Sequence, residues 1–213
     1  MDYTNRTKTE IKRIEEISDK IRNLMDKDLY GHSVGTMEKA KELFRLHYSK
    51  TPGPGPSKKE LNGLEYRIIL ASLLHDYAKI FSYDKLIKEI GKNKWHVDDF
   101  SLVCKPILHS FAGGYLVKRD FSIDDSTVLD AIKYHSTGRK NMNIIEKIIY
   151  ISDKIEKTRE YDGIGHLRDL SVRDLDACLI ETYRFNIIYV LNKKQALHPD
   201  TCGIWNNILE VQI

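Results

Sequence analysis

Apolar side chains recur at steps of three and four residues along most of the chain, which is the spacing of helices with one buried face. In residues 8–25 this face carries Ile11, Ile14, Ile17 and Ile21 among lysine, arginine and glutamate side chains. The pattern predicts an amphipathic helix on the edge of a core. No run alternates strictly between apolar and polar residues over the length of a strand, so the sequence predicts an all-α fold.

Glycine and proline predict the first interruptions. Gly31 breaks the helical pattern, and a second helix is expected to begin at His32. Three of the five prolines fall within residues 51–57. This segment cannot be a helix or a central strand, so we expect a surface loop inside the domain.

Three later helices are marked by residues that favour helix starts. Proline is tolerated in the first turn, and Asp or Asn side chains accept hydrogen bonds from the free backbone N–H groups there. Each of these residues precedes apolar positions at helical spacing, so each helix should turn one face to the core. The expected starts are Pro106, one of Ser122, Asp124 and Asp125, and Asn143, the last for a helix over residues 144–157.

The length of 213 residues fits one domain with a short appendage. We therefore expect residues 1–24 to form a helical extension packed on a domain of residues 25–213. Charged residues make up 31% of the chain and the net charge is +3. So small a charge does not indicate a nucleic-acid or membrane surface, but it is compatible with a small anionic ligand.

Nothing in the sequence indicates export or membrane insertion. The first residues contain no apolar signal core, and no stretch reaches the 18 or so apolar residues of a membrane span. Cys104, Cys178 and Cys202 are odd in number and far apart, which is typical of free thiols in a reducing compartment. A cytoplasmic protein is expected.

The stretch from Ile68 to Lys79 reads as a helix that is apolar on nearly every side and yet contains His75 and Asp76. Such a helix is buried. A buried carboxylate costs several kcal/mol unless it is paired or bound to a metal, so Asp76 needs a partner from another segment. Taken alone, such a pair is more often a neutral core histidine beside a capping or salt-bridged aspartate.

The rest of the chain changes that balance, because further nitrogen and oxygen donors fall at interior-facing positions or helix ends. A set of histidines and aspartates without thiolates suits Fe, Mn, Zn or a related metal, and one carboxylate can bridge two ions. Lys79 lies one turn after His75, where its amine could meet an anionic oxygen of a substrate. The candidate ligands are His32, His75, Asp76, His109, His135 and Asp153.

This order of residues, H…HD…H…H…D with a lysine three residues after the first aspartate, resembles the HD-domain metal-dependent phosphohydrolases. The sequence is most similar to the YqeK-type HD proteins, which are symmetrical diadenosine-tetraphosphate hydrolases. The likeness covers roughly residues 25–208. It is concentrated in four blocks, at residues 73–79, 134–139, 146–156 and 198–201.

The resemblance implies a single HD-domain helical bundle with a metal site between its helices. It implies one or two iron ions, with manganese or another divalent transition metal as the alternative. His109 and His135 would complete a second metal position or hold phosphate. The metal ligands implied by the resemblance are His32, His75, Asp76 and Asp153.

The same resemblance assigns substrate contacts. Lys79, Ser136, Thr137 and Arg159 would contact the nucleotide phosphates, together with His109 and His135, and His198 would belong to the substrate-binding segment. Leu29 stands where the family often has an arginine, which removes one expected nucleotide contact. The catalytic residues would be Asp76, Lys79, His109 and His135.

The implied reaction is attack by a metal-activated water on a phosphorus of the tetraphosphate bridge, with two ADP as products. The partner would be a dinucleoside polyphosphate or an ADP-type ligand, and a homodimer is compatible with the sequence. Two alternatives stay open. One is an HD-type hydrolase of a nucleoside mono- or triphosphate, and the other is a nucleotide-binding metal module with negligible turnover.

Overall fold

The computed structural model describes residues 7–48 and 56–210, and this part of the chain contains eleven α-helices and no strand. The all-α prediction is confirmed there. A short 3-10 helix, Tyr77–Ile80, follows the third α-helix. The predicted proline-glycine loop falls mostly on residues 51–55, which lie outside the described ranges. The α-helices are α1 (Lys8–Leu24), α2 (Lys27–His47), α3 (Lys58–Leu74), α4 (Tyr83–Asn93), α5 (Asp99–Val103), α6 (Lys105–Phe121), α7 (Ser126–Tyr134), α8 (Ile144–Ile155), α9 (Ile164–Arg173), α10 (Leu175–Asn192) and α11 (Thr201–Glu210).

The three predicted helix starts are found in the structure. Pro106 lies in the first turn of α6. Of the two candidate aspartates it is Asp125 that caps α7, accepting a hydrogen bond from the backbone N–H of Thr127 at 3.0 Å. Asn143 caps α8 and is bonded in return by the side chain of Glu146, which forms a capping box.

The predicted start of the second helix at His32 is wrong. α2 begins five residues earlier, after Asp26, whose carboxylate accepts a hydrogen bond from the N–H of Leu29 at 2.8 Å. Gly31 lies inside the helix, because a strong cap outweighs the roughly 1 kcal/mol that an interior glycine costs. His32 therefore projects from the second turn of a regular helix.

The predicted continuous helix through His75 and Asp76 is also wrong. α3 ends at Leu74, and both residues lie in the turn between α3 and the 3-10 helix. His75 keeps helical dihedral angles, φ −56° and ψ −37°, whereas Asp76, at φ −101° and ψ 9°, has left the helix. The two side chains therefore reach one cluster from the last turn of α3 and from the residue that ends it.

The core lies between α2, α3, α7 and α8, in which α3 and α8 contact each other and both contact α2 and α7. α6 packs on α7, α9 and α10 pack on α8, and α1 packs on α2 and α3. On the predicted apolar face of α1, Ile14, Ile17 and Ile21 are buried and Ile11 is half-buried. The division of the chain at residue 24 stays a prediction. Across residues 7–48 and 56–210, no helix has the length and apolarity needed to cross a bilayer.

Candidate metal and active site

All six predicted metal-ligand residues lie together where five helices meet. His75 and Asp76 are fully buried, and the other four side chains are at most 11% exposed. Their donor atoms form two groups that share Asp76. The contributing elements are the second turn of α2 for His32, the end of α3 for His75 and Asp76, α6 for His109, the end of α7 for His135 and the last turn of α8 for Asp153.

The first donor set consists of His32, His75 and Asp153. The Nε2 atom of His32 lies 2.9 Å from Oδ1 of Asp153 and 3.1 Å from Nε2 of His75. Asp76 turns its Oδ2 towards this set, 3.4 Å from Nε2 of His75 and 3.5 Å from Nε2 of His32. Two carboxylates and two imidazoles therefore face one point.

The second donor set consists of His109 and His135, with the remaining oxygen of Asp76. The Oδ1 atom of Asp76 lies 3.2 Å from Nε2 of His109 and 3.4 Å from Nε2 of His135. The two imidazole Nε2 atoms are 3.2 Å apart. Asp76 thus presents one oxygen to each set, as a bridging carboxylate does.

Hydrogen bonds fix the orientation of the buried histidines. The Nδ1–H of His75 donates to the carbonyl of Ser72 at 2.7 Å, and that of His135 donates to the carbonyl of Ile132 at 2.7 Å. Since Nδ1 is held by a carbonyl, Nε2 of each ring is turned into the site. A second partner that holds the other ring nitrogen is the usual arrangement behind a metal-binding histidine.

These residues fit a divalent transition metal. The Oδ1 atom of Asp76 is buried and receives no hydrogen bond of normal geometry. Burial alone would lower the pKa of His75, but the carboxylates of Asp76 and Asp153 outweigh burial and raise it to about 9. The first donor set therefore favours a positive charge at its centre. Its nitrogen and oxygen donors, without a thiolate, suit Fe, Mn or Zn.

Two cations predicted to contact substrate lie at the edge of the site. Lys79 Nζ donates to Oδ2 of Asp76 at 2.6 Å, and its side chain is 40% exposed. Arg159 Nη2 donates to Oδ1 of Asp153 at 2.7 Å, and its side chain is 38% exposed. Both groups are anchored on a site carboxylate while part of each side chain faces solvent.

Lys154 is a site residue that sequence reasoning missed. Its Nζ donates to Oδ2 of Asp153 at 3.1 Å and to the carbonyl of His135 at 3.0 Å, and lies 4.0 Å from the ring centre of Tyr150. Burial lowers the pKa of Lys154, although Asp153 opposes this effect. The amine thus ties the first donor set to the turn that carries the second. The sequence shows a lysine directly after Asp153, but its contacts with the site depend on tertiary structure.

Glu156 is a second residue that was missed. Its carboxylate is fully buried, and Oε1 lies 3.1 Å from Nδ1 of His32. The N–H of Thr158 donates to Oε2 at 2.8 Å. Burial would raise the pKa of Glu156, but the hydrogen bonds from Thr158 and His32 hold it below its usual value. The sequence signal was a glutamate one turn past Asp153.

Ser136 and Thr137 directly follow His135 of the second donor set. Ser136 Oγ lies 3.1 Å from Nε2 of His135 and so borders the metal-ligand cluster. The Thr137 hydroxyl donates to the carbonyl of Gly138 at 3.0 Å, and the Thr137 carbonyl accepts from Tyr183 at 3.2 Å. Ser136 is therefore the better placed of the two hydroxyls to meet a ligand.

His198 lies apart from the donor sets, in a cleft whose wall includes Ser136, the residue after His135. Its ring stacks on Phe111 at 6.0 Å between centres and meets Phe100 edge-on at 5.4 Å. The cleft has a volume of about 480 Å³ and runs between His198 and Ser136. Its wall is mainly apolar, with side chains from α5, α6, α10 and the segment before α11.

Comparisons with known proteins agree with this geometry. The HD domain family model matches residues 29–158, which include all six predicted metal-ligand residues. Proteins of Halalkalibacterium halodurans and Bacillus subtilis are among the relatives that carry the name "Bis(5'-nucleosyl)-tetraphosphatase, symmetrical". The protein of Halalkalibacterium halodurans is 33% identical, over 84% of this chain and 88% of its own length. That of Bacillus subtilis is 32% identical, over 83% of this chain and 87% of its own length.

A solved structure shares the fold. It is described as a "predicted HD superfamily hydrolase involved in NAD metabolism" from Clostridium acetobutylicum. It is 32% identical in sequence and superimposes with a TM-score of 0.80, covering 92% of this chain and 97% of that one. The chain therefore belongs to the HD-domain family and, within it, to the YqeK-type proteins.

Proposed function

We propose that the protein is a metal-dependent hydrolase that cleaves diadenosine tetraphosphate symmetrically into two ADP. The observation that carries this function is the buried carboxylate of Asp76, whose two oxygens face two histidine-rich donor sets. The names of the two relatives from Halalkalibacterium halodurans and Bacillus subtilis support the same activity. A dinucleoside polyphosphate or an ADP-type molecule is the corresponding ligand.

The first donor set with Asp76 would hold the principal ion, and we propose iron, with manganese as the second choice. When bound, such an ion lowers the pKa of water and neutralises negative charge on phosphoryl oxygens. His109 and His135, with the other oxygen of Asp76, would hold a second ion or a phosphate group. The absence of thiolate ligands and the charge preference at His75 support a hard or intermediate divalent metal.

The protein's own cations would bind the phosphates. Lys79 donates to Asp76 and Arg159 donates to Asp153, so a phosphate group at the donor sets would meet two positive charges. Such donors stabilise the charge that develops on non-bridging oxygens during attack. Ser136 can donate a further hydrogen bond beside His135. Thr137 shapes the turn that carries Ser136.

The cleft beside His198 would hold one adenosine. Its apolar wall suits a nucleoside, and Ser136 at its inner end brings the following phosphates to the donor sets. In that register the phosphorus at the centre is the second from the bound nucleoside. Water adds to this phosphorus and the bond to the central bridging oxygen breaks. That oxygen leaves with the other half, so both products are ADP.

The test is product analysis by chromatography on metal-loaded protein. We expect ADP as the only nucleotide formed from diadenosine tetraphosphate, no reaction after treatment with chelator, and recovery with iron or manganese. AMP plus ATP would contradict symmetric cleavage. Faster hydrolysis of a nucleoside mono- or triphosphate would favour another HD-type hydrolase, and tight ADP binding without turnover under any metal would favour a binding module.

A further inference from the structure

Three of the four candidate metal-ligand histidines, His32, His75 and His135, obtain orienting hydrogen bonds at Nδ1 in two different ways. His75 and His135 each follow the last residue of a helix, where the final four carbonyls have no partner in the helix. Each donates its Nδ1–H to a carbonyl three residues earlier in its own chain segment. His32 lies in the second turn of α2, whose carbonyls are used by the helix itself. An acceptor for His32 must come from another element.

Glu156 supplies that acceptor from the end of α8. Its Oε1 lies 3.1 Å from Nδ1 of His32, on the side of the ring away from Asp153. The backbone N–H and hydroxyl of Thr158 both donate to the carboxylate. Arg168 of α9 donates to the backbone carbonyl of Glu156 at 2.7 Å. Contacts other than the one with His32 therefore hold the carboxylate in position.

Gly35 makes room for this carboxylate. A Cβ atom at Gly35 would collide with Oε2 of Glu156 and would lie only 3.1 Å from its Cδ. Gly31, one turn earlier in the same helix, has no atom within 4 Å of the equivalent position. The two glycines share a helix and a backbone conformation, and only Gly35 faces the carboxylate. Gly35 is thus needed because the Glu156 carboxylate lies close to its Cα, and not for an unusual backbone conformation.

We propose that Glu156 is the positioning residue for His32 and that Gly35 is the residue that admits it to the site. The carboxylate keeps the proton on Nδ1, so that the Nε2 lone pair faces the first donor set. Without it the ring can take the other tautomer or rotate. This role rests on the proposed function only in requiring a bound metal, and it does not depend on the nucleotide substrate.

The experiment measures metal affinity in chelator-stripped full-length protein, by competition with a coloured chelator for Mn²⁺ and Co²⁺ and without nucleotide. Glu156→Ala and Gly35→Ala should each weaken affinity by about 10- to 100-fold, the usual loss for a partner behind a ligand. Glu156→Gln keeps an oxygen acceptor and should lose less. Since nucleotide is absent, failure of the proposed substrate would leave this result unchanged.

Two matched controls separate positioning from general packing. Gly31→Ala makes the same change in the same helix where there is space, and should bind metal as the unaltered protein does. Glu38→Ala removes the 2.7 Å contact with Lys157, which joins the same two segments without touching His32. It should also bind normally.

A spectroscopic measurement covers the case in which Gly35→Ala does not fold. In protein loaded with diamagnetic Zn²⁺, nitrogen chemical shifts of the His32 ring should report metal on Nε2 and a proton on Nδ1 in the unaltered protein and in Glu156→Gln, and a loss of this single form in Glu156→Ala. Native metal affinity in Glu156→Ala, or an unchanged His32 tautomer in it, would overturn the proposal. An equal loss of affinity in Gly31→Ala would overturn the role of Gly35.

Discussion

The two donor sets share Asp76 but differ in charge and in access. The first, around His32, His75 and Asp153, has a carboxylate of its own and is closed by Lys154 and Arg159. The second, around His109 and His135, has only imidazoles apart from Asp76, and it opens through Ser136 onto the cleft. In the proposed function, the charge of the first set favours a bound cation and the access of the second set would admit a ligand.

The pKa values of two equally buried histidines express this difference. Burial opposes the charged form of both rings. Near Asp76 and Asp153 the pKa of His75 is nonetheless raised to about 9. Burial lowers the pKa of His135 to about 4, and the neighbouring His75 and His109 add to this effect against Asp76. The second carboxylate thus decides which set prefers a positive charge.

The largest expected effect comes from removing what the two sets share. Asp76→Asn deletes the only carboxylate that faces both sets among the described residues, so metal and activity should be lost together. We expect metal affinity to fall by more than about 1,000-fold, beyond the loss of a partner behind a ligand. Metal analysis and product chromatography on the same sample check this. Retained metal with lost activity would show that Asp76 is not a ligand.

The next prediction distinguishes the roles of the two donor sets. Asp153→Asn should lower metal affinity by at least about 100-fold, because it removes the carboxylate of the first set. His135→Gln should leave the principal ion bound and reduce mainly the rate. Metal titration of both variants beside the unaltered protein provides the comparison. Equal losses of affinity would contradict the assignment of the principal ion to the first set.

Lys79→Ala tests a cation that touches Asp76 from outside the donor sets. The variant should keep its metal while kcat/KM for diadenosine tetraphosphate falls by about 10- to 100-fold, since one charge partner of the phosphates is lost. Lys88→Ala, an exposed lysine on α4, is the control and should behave normally. Metal loss in Lys79→Ala equal to that in Asp76→Asn would make Lys79 a structural partner of the carboxylate.

The smallest expected effect lies at the far end of the cleft. His198→Ala removes the ring that packs between Phe100 and Phe111. KM should rise by about 3- to 10-fold, the size of one aromatic contact, with kcat and metal content unchanged. Steady-state kinetics with diadenosine tetraphosphate measure both constants. A fall in kcat without a change in KM would place His198 closer to the chemistry than the cleft indicates.

Local signals in the sequence were sufficient for much of the fold. Asn143, Asp125 and Pro106 begin helices by satisfying or lacking backbone N–H groups, which depends only on their immediate neighbours. Gly31 led to the wrong start for α2, because that prediction also used only neighbouring residues. A glycine is a weak local signal, and the cap at Asp26 together with the packing of α2 outweighed it.

The candidate ligands could be predicted because buried carboxylates and histidines are costly without a partner. Their supporting residues could not. Lys154 and Glu156 read as charged residues near the end of a helix, and their roles arise only when α8 meets α2 and the turn after α7. Which charged residue folds inward depends on contacts between segments more than 100 residues apart, as with Glu156 and His32.

The position of His75 and His135, one residue beyond a helix end, has a consequence for protein engineering. Each ring is oriented by a carbonyl of its own helix, so the histidine and its hydrogen-bond acceptor lie in the same short peptide segment. A designer could graft the last turn of α3 with His75 onto another helical scaffold and keep the ring's orientation without rebuilding its surroundings. Transfer of His32 would also require Glu156 and a glycine at the position of Gly35.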